Sequence, residues 1–313
     1  MTATLSHETG SFVPRDERVD RVVAEITARL HACADDLVLP LPQELRLLHE
    51  LAEFDFGRFL LLNGGLSGYW TSYVFTHDGT DAPTDMEQWL LSRSTMAGIR
   101  QRYHRLSALV APRLHPGARV ASIPCGLMDD VLAQPPELLA DVTIVGVDID
   151  AESIALAAES AAERGLNDRT EFVRGDAWEL ELGTPVDLLL SNGLNLYEPD
   201  RDRLVELYRR FRDNLAPGGE LLVSFIPPLP PPPDNDPVSA VLWQRLGMSA
   251  DDVRRDRAVF GDLLSVTYLN LTSTDELAAQ LREAGLSLTS VHYAEYGVLP
   301  IAVARRSDDI DLF

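Results

Sequence analysis

Two rhythms of apolar and polar positions divide the chain. From Asp16, apolar side chains recur at Val19, Val22, Val23, Ile26, Leu30 and Cys33, one face of a helix. Pro40 and Pro42 interrupt that stripe. A second helix is predicted from Gln43 through Leu62, stopping at Asn63-Gly64-Gly65. A third places Met96, Ile99, Tyr103, Leu106 and Val110 on one face and ends before His115-Pro116-Gly117. No clear strand pattern occurs in this first third.

After Gly117 the rhythm changes. The short apolar runs VASI, VTIVGVDI, TEFVRG, VDLLL and ELLVSF alternate with helical stretches such as ESIALAAESAAERG and RDRLVELYRRFRDNL. Strands alternating with helices predict a parallel sheet covered on both faces, with strands read as continuously apolar. Near the end, Ser273 and Glu276 form a capping-box pattern that opens a helix, and Gly285 closes it. LTSVHYAE and VLPIAVARR then read as a hairpin turning at Tyr296-Gly297, so the last strand should run antiparallel. The expected division is a helical N-terminal cap and substrate region, 1–115, packing over the strand tips, and an α/β domain, 116–313, with a proline-rich insertion around 226–262. Within that insertion six of the seven positions Pro227–Pro233 are proline, which favours an extended polyproline II segment. A stiff connector is the plain reading; the arm of a lid and a ligand for a partner's aromatic groove are the others.

Composition narrows the partners. The formal net charge is -22, which repels phosphate backbones and anionic lipids, so neither nucleic acid nor membrane is expected. All 27 basic residues are arginine, and without lysine no Schiff-base chemistry is open. Cys33 and Cys125 form no CxxC or Cys/His cluster, so no metal site is expected. The N-terminal residues lack a signal-peptide pattern and no apolar run is long enough to span a bilayer. A cytoplasmic protein is expected, and a homodimer is left open.

Candidate chemistry collects at the carboxyl ends of the strands, where open α/β sheets bind ligands. SIPCGLMDD follows the first strand, GVDID ends the second with Asp148, RGDAWEL follows the third with Asp176, and SNGLNLYEPD follows the fourth. Gly126 precedes Asp148 by 22 residues, the spacing of a glycine turn and a ribose-binding acid. With these motifs the chain, from about Ala118 to Arg306, resembles the class I S-adenosylmethionine-dependent methyltransferases. The resemblance implies a mostly parallel, seven-stranded Rossmann-like sheet with an antiparallel C-terminal hairpin. It also implies a methyl donor, S-adenosylmethionine, and residue roles. Asp148 would hold the ribose, Ile149 would pack on the adenine and Asp176 would accept from its amine. Ala177 would offer its amide and Trp178 would cover the ring.

The first motif departs from that family. Where it usually has an acid and then Gly-x-Gly-x-Gly, this chain has Ser122, Pro124, Gly126 and Met128. Pro124 gives up an amide donor, so a cofactor loop with altered anchoring is expected. Asn192, Asn195 and Tyr197 beyond the fourth strand are site candidates. In the stretch Asn63–Gly79, Tyr69, Trp70 and Tyr73 are candidate walls of a substrate pocket and His77 a candidate base. A glycine-bent helix packing on the sheet is the structural alternative for that stretch. Tyr197 and His77 are the catalytic candidates. Arg93 and Arg100 read as a solvated helix face, with a carboxylate partner as the sharper option. Cys125 reads as a small packing residue. The function expected is methyl transfer to a small molecule. The alternatives are a fold that binds the cofactor without methylating, and a nicotinamide-dependent dehydrogenase.

Overall fold

The computed structural model describes residues 12–229, 237–245, 248–266, 269–293 and 299–312. The chain forms two compact units, Met1–Ala97 with Leu229–Thr267, and Gly98–Pro228 with Tyr268–Phe313. The segment after the fifth strand therefore belongs with the N-terminal helices rather than with the sheet.

The first unit holds α1 (Glu17–Ala32), α2 (Leu41–Leu51), α3 (Asp55–Asn63), α4 (Gly68–Thr76) and α5 (Asp85–Ser92). Later in the chain come α11 (Pro237–Arg245), α12 (Ala250–Arg257) and a π-helical turn, Ala258–Leu263. Asp16 caps α1 by accepting from the amides of Arg18 and Val19. The predicted stripe is real: Val19, Ile26 and Leu30 are buried, with Leu48, Leu51, Phe56, Phe59 and Leu60 from α2 and α3. The single helix expected over 43–62 is two. Phe54 is extended between them, and a Cβ on Gly57 would lie 2.0 Å from the Leu51 carbonyl oxygen. Only glycine permits that approach of α3 to the end of α2. The π-helical turn is joined to this unit by Arg29, which donates to the carbonyls of Asp262 and Leu263, and by Asp262, which accepts from the Val38 amide at 3.0 Å.

The second unit is built on a seven-stranded sheet of order β3-β2-β1-β4-β5-β7-β6. The strands are β1 (Arg119–Ser122), β2 (Thr143–Asp148), β3 (Thr170–Arg174), β4 (Val186–Ser191), β5 (Leu215–Ser224), β6 (Leu286–His292) and β7 (Ile301–Arg306). β1 to β5 pair in parallel, while β7 lies antiparallel to both β5 and β6. This is the mixed α/β architecture that the alternating runs predict. The turn expected at Tyr296-Gly297 and residues 230–236 of the proline run lie outside the described residues.

Helices α6 (Ser94–Val110), α7 (Asp129–Leu132), α8 (Pro136–Leu139), α9 (Ala151–Glu163), α10 (Arg201–Asn214) and α13 (Thr274–Glu283) complete the main elements. Leu106, Val110, Val131 and Ala161 bury one sheet face; Leu204, Tyr208, Phe211 and Leu277 bury the other. α13 opens with the capping box of Ser273 and Glu276 that the sequence predicts. β3 departs from the expectation of strands buried on both faces. It is an edge strand, so Val173 is exposed. No described helix is long and apolar enough to cross a membrane.

Candidate functional site

The four motifs meet at the carboxyl ends of β1 to β4, within the second unit. β1 ends at Ser122, and Ile123 continues the pairing by donating to the Leu190 carbonyl at 2.9 Å. The Ile123–Pro124 peptide is cis. Cys125 donates to the Val147 carbonyl at 2.9 Å and Met128 to the Cys125 carbonyl at 2.8 Å. Gly126 and Met128 both have left-handed backbone, φ 50° and 61°. The Gly126 amide points at the tip of β2, where Asp148 Oδ2 accepts it at 3.0 Å. Asp148 Oδ1 accepts from the Asp150 amide at 3.0 Å. One buried carboxylate thus ties the first loop to the second. Burial raises its pKa, and the bonds from Asp150 and Gly126 pull it back.

Ile149, next along the chain, is 58% exposed, a large apolar side chain beside the strand tips. Asp176 is exposed and caps a 3-10 turn, Ala177–Glu179, by accepting from the Trp178 amide at 3.0 Å. Ala177 is buried. Trp178 is engaged with α10: its indole N–H donates to the Arg203 carbonyl at 3.0 Å, and the Arg203 guanidinium lies 5.0 Å from the ring centroid. Cys125 is buried and burial pushes its thiol pKa up, so it packs and does not act as a thiolate.

Beyond β4, Asn192 Nδ2 donates to Asp130 Oδ2 at 3.2 Å, while its Oδ1 is buried without a hydrogen-bond partner. Asn195 is a support of the loop. Its Nδ2 donates to the Ser224 carbonyl at 2.9 Å, and its carbonyl accepts from Asn270 Nδ2 at 3.0 Å. Tyr197 is half exposed; desolvation raises the pKa of its hydroxyl, and Arg102 counters that.

The sequence pointed at neither Arg102 nor Asp130, yet both are charged and 8% exposed. Burial raises the Asp130 pKa to about 7, assisted by Asp129 and opposed by Arg102. Burial lowers that of Arg102, and Asp130 and Tyr197 oppose the shift. A signal existed. Arg102 stands between Ile99 and Leu106 on the apolar stripe of α6, where a charge has no solvent to face.

The remaining candidates lie in the first unit. Trp70 is buried and stacks on Phe56, with ring centroids 5.0 Å apart; Tyr69 and Tyr73 meet it edge-on. Trp70 is therefore a core side chain, not an open wall. Tyr73 donates its hydroxyl to the buried Glu87 at 2.9 Å and stacks on the exposed His77, whose Nδ1 lies 2.9 Å from Thr76 Oγ1. Arg93 is not merely solvated: it pairs with Asp252 and lies 4.9 Å from the Trp89 ring. Among the described residues no group of three or more His, Cys, Asp or Glu is placed to hold a metal ion. A groove of about 310 Å³ between Leu180–Pro185 and α10 opens at the amino end of β4, the wrong end of the strands for this chemistry.

Residues 126–219 match the methyltransferase domain family. The chain belongs to the class I methyltransferases. The methyl donor of that family is S-adenosylmethionine, and the nicotinamide alternative falls with the assignment. A Bordetella parapertussis protein described as a possible exported protein is 33% identical, with a TM-score of 0.82 over 94% of this chain and 97% of that one. Magnesium protoporphyrin IX methyltransferase from Synechocystis, solved with bound S-adenosylhomocysteine, is 13% identical over 77% of this chain and 94% of that one. Its TM-score of 0.50 is a likeness of fold. Among curated proteins none matches the sequence.

Proposed function

We propose that this methyltransferase acts on a small-molecule acceptor and holds its methyl donor at the tips of β1 to β4. The observation that carries the reading is Asp148. Its carboxylate sits at the end of β2, positioned by the amides of Gly126 and Asp150, and a carboxylate has more acceptor sites than those two bonds use. The spare capacity suits a pair of ribose hydroxyls. Ile149 offers its exposed face to a planar base, and Asp176 and Ala177 flank the same edge of the sheet. The residues present therefore fit the adenosine part of S-adenosylmethionine.

That cofactor, when bound, supplies a methyl group already activated on a sulfonium. The chain's task is to align a nucleophile and exclude water. Asn195, which donates to the Ser224 carbonyl and accepts from Asn270, supports the loop 193–197, and Tyr197 is the polar side chain there that an acceptor could meet. A small, neutral or singly charged acceptor suits a protein of net charge -22, whose field opposes nucleic acid and other polyanions. Two free cysteines, Cys33 and Cys125, suit a cytoplasmic setting.

Calorimetry with S-adenosylhomocysteine tests the donor site. The wild type should bind it, and Asp148→Ala should weaken binding by about 1.5–3 kcal/mol, the range for hydrogen bonds to a charged group. Equal affinities would remove Asp148 from the site. A screen of small metabolites beside tRNA and DNA at low salt tests the acceptor class, and methylation of a nucleic acid would overturn it.

A further inference from the structure

The first loop has few hydrogen-bond donors left for an anion. Pro124 has no N–H, and the amides of Cys125, Gly126 and Met128 are taken by Val147 O, Asp148 Oδ2 and Cys125 O. Ser122 carries no charge. Yet at the carboxyl ends of β1 and β4 stand two buried charges of opposite sign. Arg102 has five N–H donors and makes no hydrogen bond, and no ion pair within 4.0 Å, among the described residues. Asp130 accepts from Asn192 Nδ2 at 3.2 Å, and Asn192 Oδ1 beside it is a buried acceptor without a donor. Each charge influences the other electrostatically, but they do not close on each other.

A mostly buried guanidinium left without protein acceptors is costly. If the pair were only structural, direct contact would lower that cost. Held apart instead, the two present a cationic donor and an anionic acceptor side by side. That is the complement of an α-amino acid, whose carboxylate and ammonium share one carbon.

We propose that Arg102 and Asp130 receive the amino-acid end of the methyl donor, Arg102 taking the carboxylate and Asp130, with Asn192 Oδ1, the ammonium. The proposal rests on the donor site described above and assigns its other half, the anchoring that the altered first loop does not supply. An ammonium beside Asp130 favours the charged carboxylate, so ligand and site support each other. Side-chain anchoring replaces loop amides.

The test compares two ligands by calorimetry: S-adenosylhomocysteine, and 5′-methylthioadenosine, which has the same adenosine but no amino-acid end. Arg102→Gln and, separately, Asp130→Asn should each weaken S-adenosylhomocysteine about tenfold to hundredfold, the loss of charge-assisted hydrogen bonds. Both variants should leave 5′-methylthioadenosine within about twofold of wild type. Arg102→Lys should recover part of the lost affinity, since it restores the charge without the planar fork. Circular dichroism identifies a variant that fails to fold, and the other variant then carries the comparison. Variants that weaken both ligands alike, or neither, overturn the proposal. Wild-type protein that binds neither ligand overturns the donor site itself, a distinct result.

Discussion

Asp148 and Asp130 make an instructive pair. Both are aspartates at the same end of one sheet, both are 8% exposed, and burial raises the pKa of both. Their partners differ. Asp148 receives two backbone amides from two different loops, so its charge is met by groups that the fold itself fixes. Asp130 is met by the Asn192 side-chain amide and by backbone of its own helical turn only, and stands near a guanidinium that does not reach it. Equal burial therefore does not mean equal role. A buried acid met by backbone is a tie that also has acceptor capacity to spare. A buried acid beside an unbonded opposite charge is a place where something else can bind.

The largest expected effect comes from cutting the tie. Asp148→Ala leaves the part-buried Gly126 and Asp150 amides without their acceptor. Each orphaned donor costs about 1–3 kcal/mol when fully buried, and these are part-buried, so urea unfolding should show a loss of about 2–3 kcal/mol. The backbone amides beside Asp130, its own and that of Val131, lie in one helical turn, where Val131 also has the Met128 carbonyl as acceptor. A midpoint unchanged in Asp148→Ala would show that water replaces the carboxylate and would erase the contrast.

The next effect is one of pH. Asp130 has its folded pKa raised to about 7 from an ordinary 3.8, so between those values the native state holds this proton more tightly than the unfolded chain does. Its contribution to stability is therefore fully present below about pH 4 and is lost as pH rises through 7. The slope is at most about 1.4 kcal/mol per pH unit for one proton. Glu44 and Asp256 in the first unit also have pKa values raised to about 7, chiefly by burial, and add slopes of their own. The measurement is consequently the difference between wild type and Asp130→Asn across pH 4 to 8. The variant should lack one proton's share of the slope. Parallel stability curves would mean that Asp130 titrates normally and is more solvated than its position suggests.

Much of this molecule was legible in the sequence, and what was not has physical causes. All seven strands and α9, α10 and α13 follow from periodicity; most of them bury a face, while β3, at the sheet edge, is legible from its apolar residues alone. Asp148, Gly126 and Asp176 follow from spacing, because a strand tip and a tight turn fix their place. The break between α2 and α3 did not show, since Gly57 serves a close approach to Leu51 that only the folded chain creates. The aromatic cluster of Asn63–Gly79 offers Trp70 as a pocket wall, but the ring that would line a pocket is packed against Phe56 and Phe59. Arg102 does not stand out by type in a chain whose 27 basic residues are all arginine, though its stripe position marks it. Asp130 sits in the opening loop's own sequence and looks like an ordinary first-turn acid; its burial comes from elements far along the chain.

The smallest expected effect separates binding from stability beside Asp148. Ile149 is exposed, so its side chain does little for the fold, and Ile149→Ala should shift unfolding by no more than about 0.5 kcal/mol. If that face meets the donor's base, truncation removes apolar contact from the complex alone. Burying a few methyl and methylene groups is worth about 0.8 kcal/mol each, and only part of Ile149 would be covered. The expected loss is about threefold to tenfold in affinity. It should be equal for S-adenosylhomocysteine and 5′-methylthioadenosine, because both carry the base. That equality distinguishes it from the Arg102 and Asp130 variants, which should affect only the ligand with the amino-acid end. The two halves of the site would then be separable by ligand as well as by residue. A loss confined to S-adenosylhomocysteine would move Ile149 from the adenosine side of the site to the other.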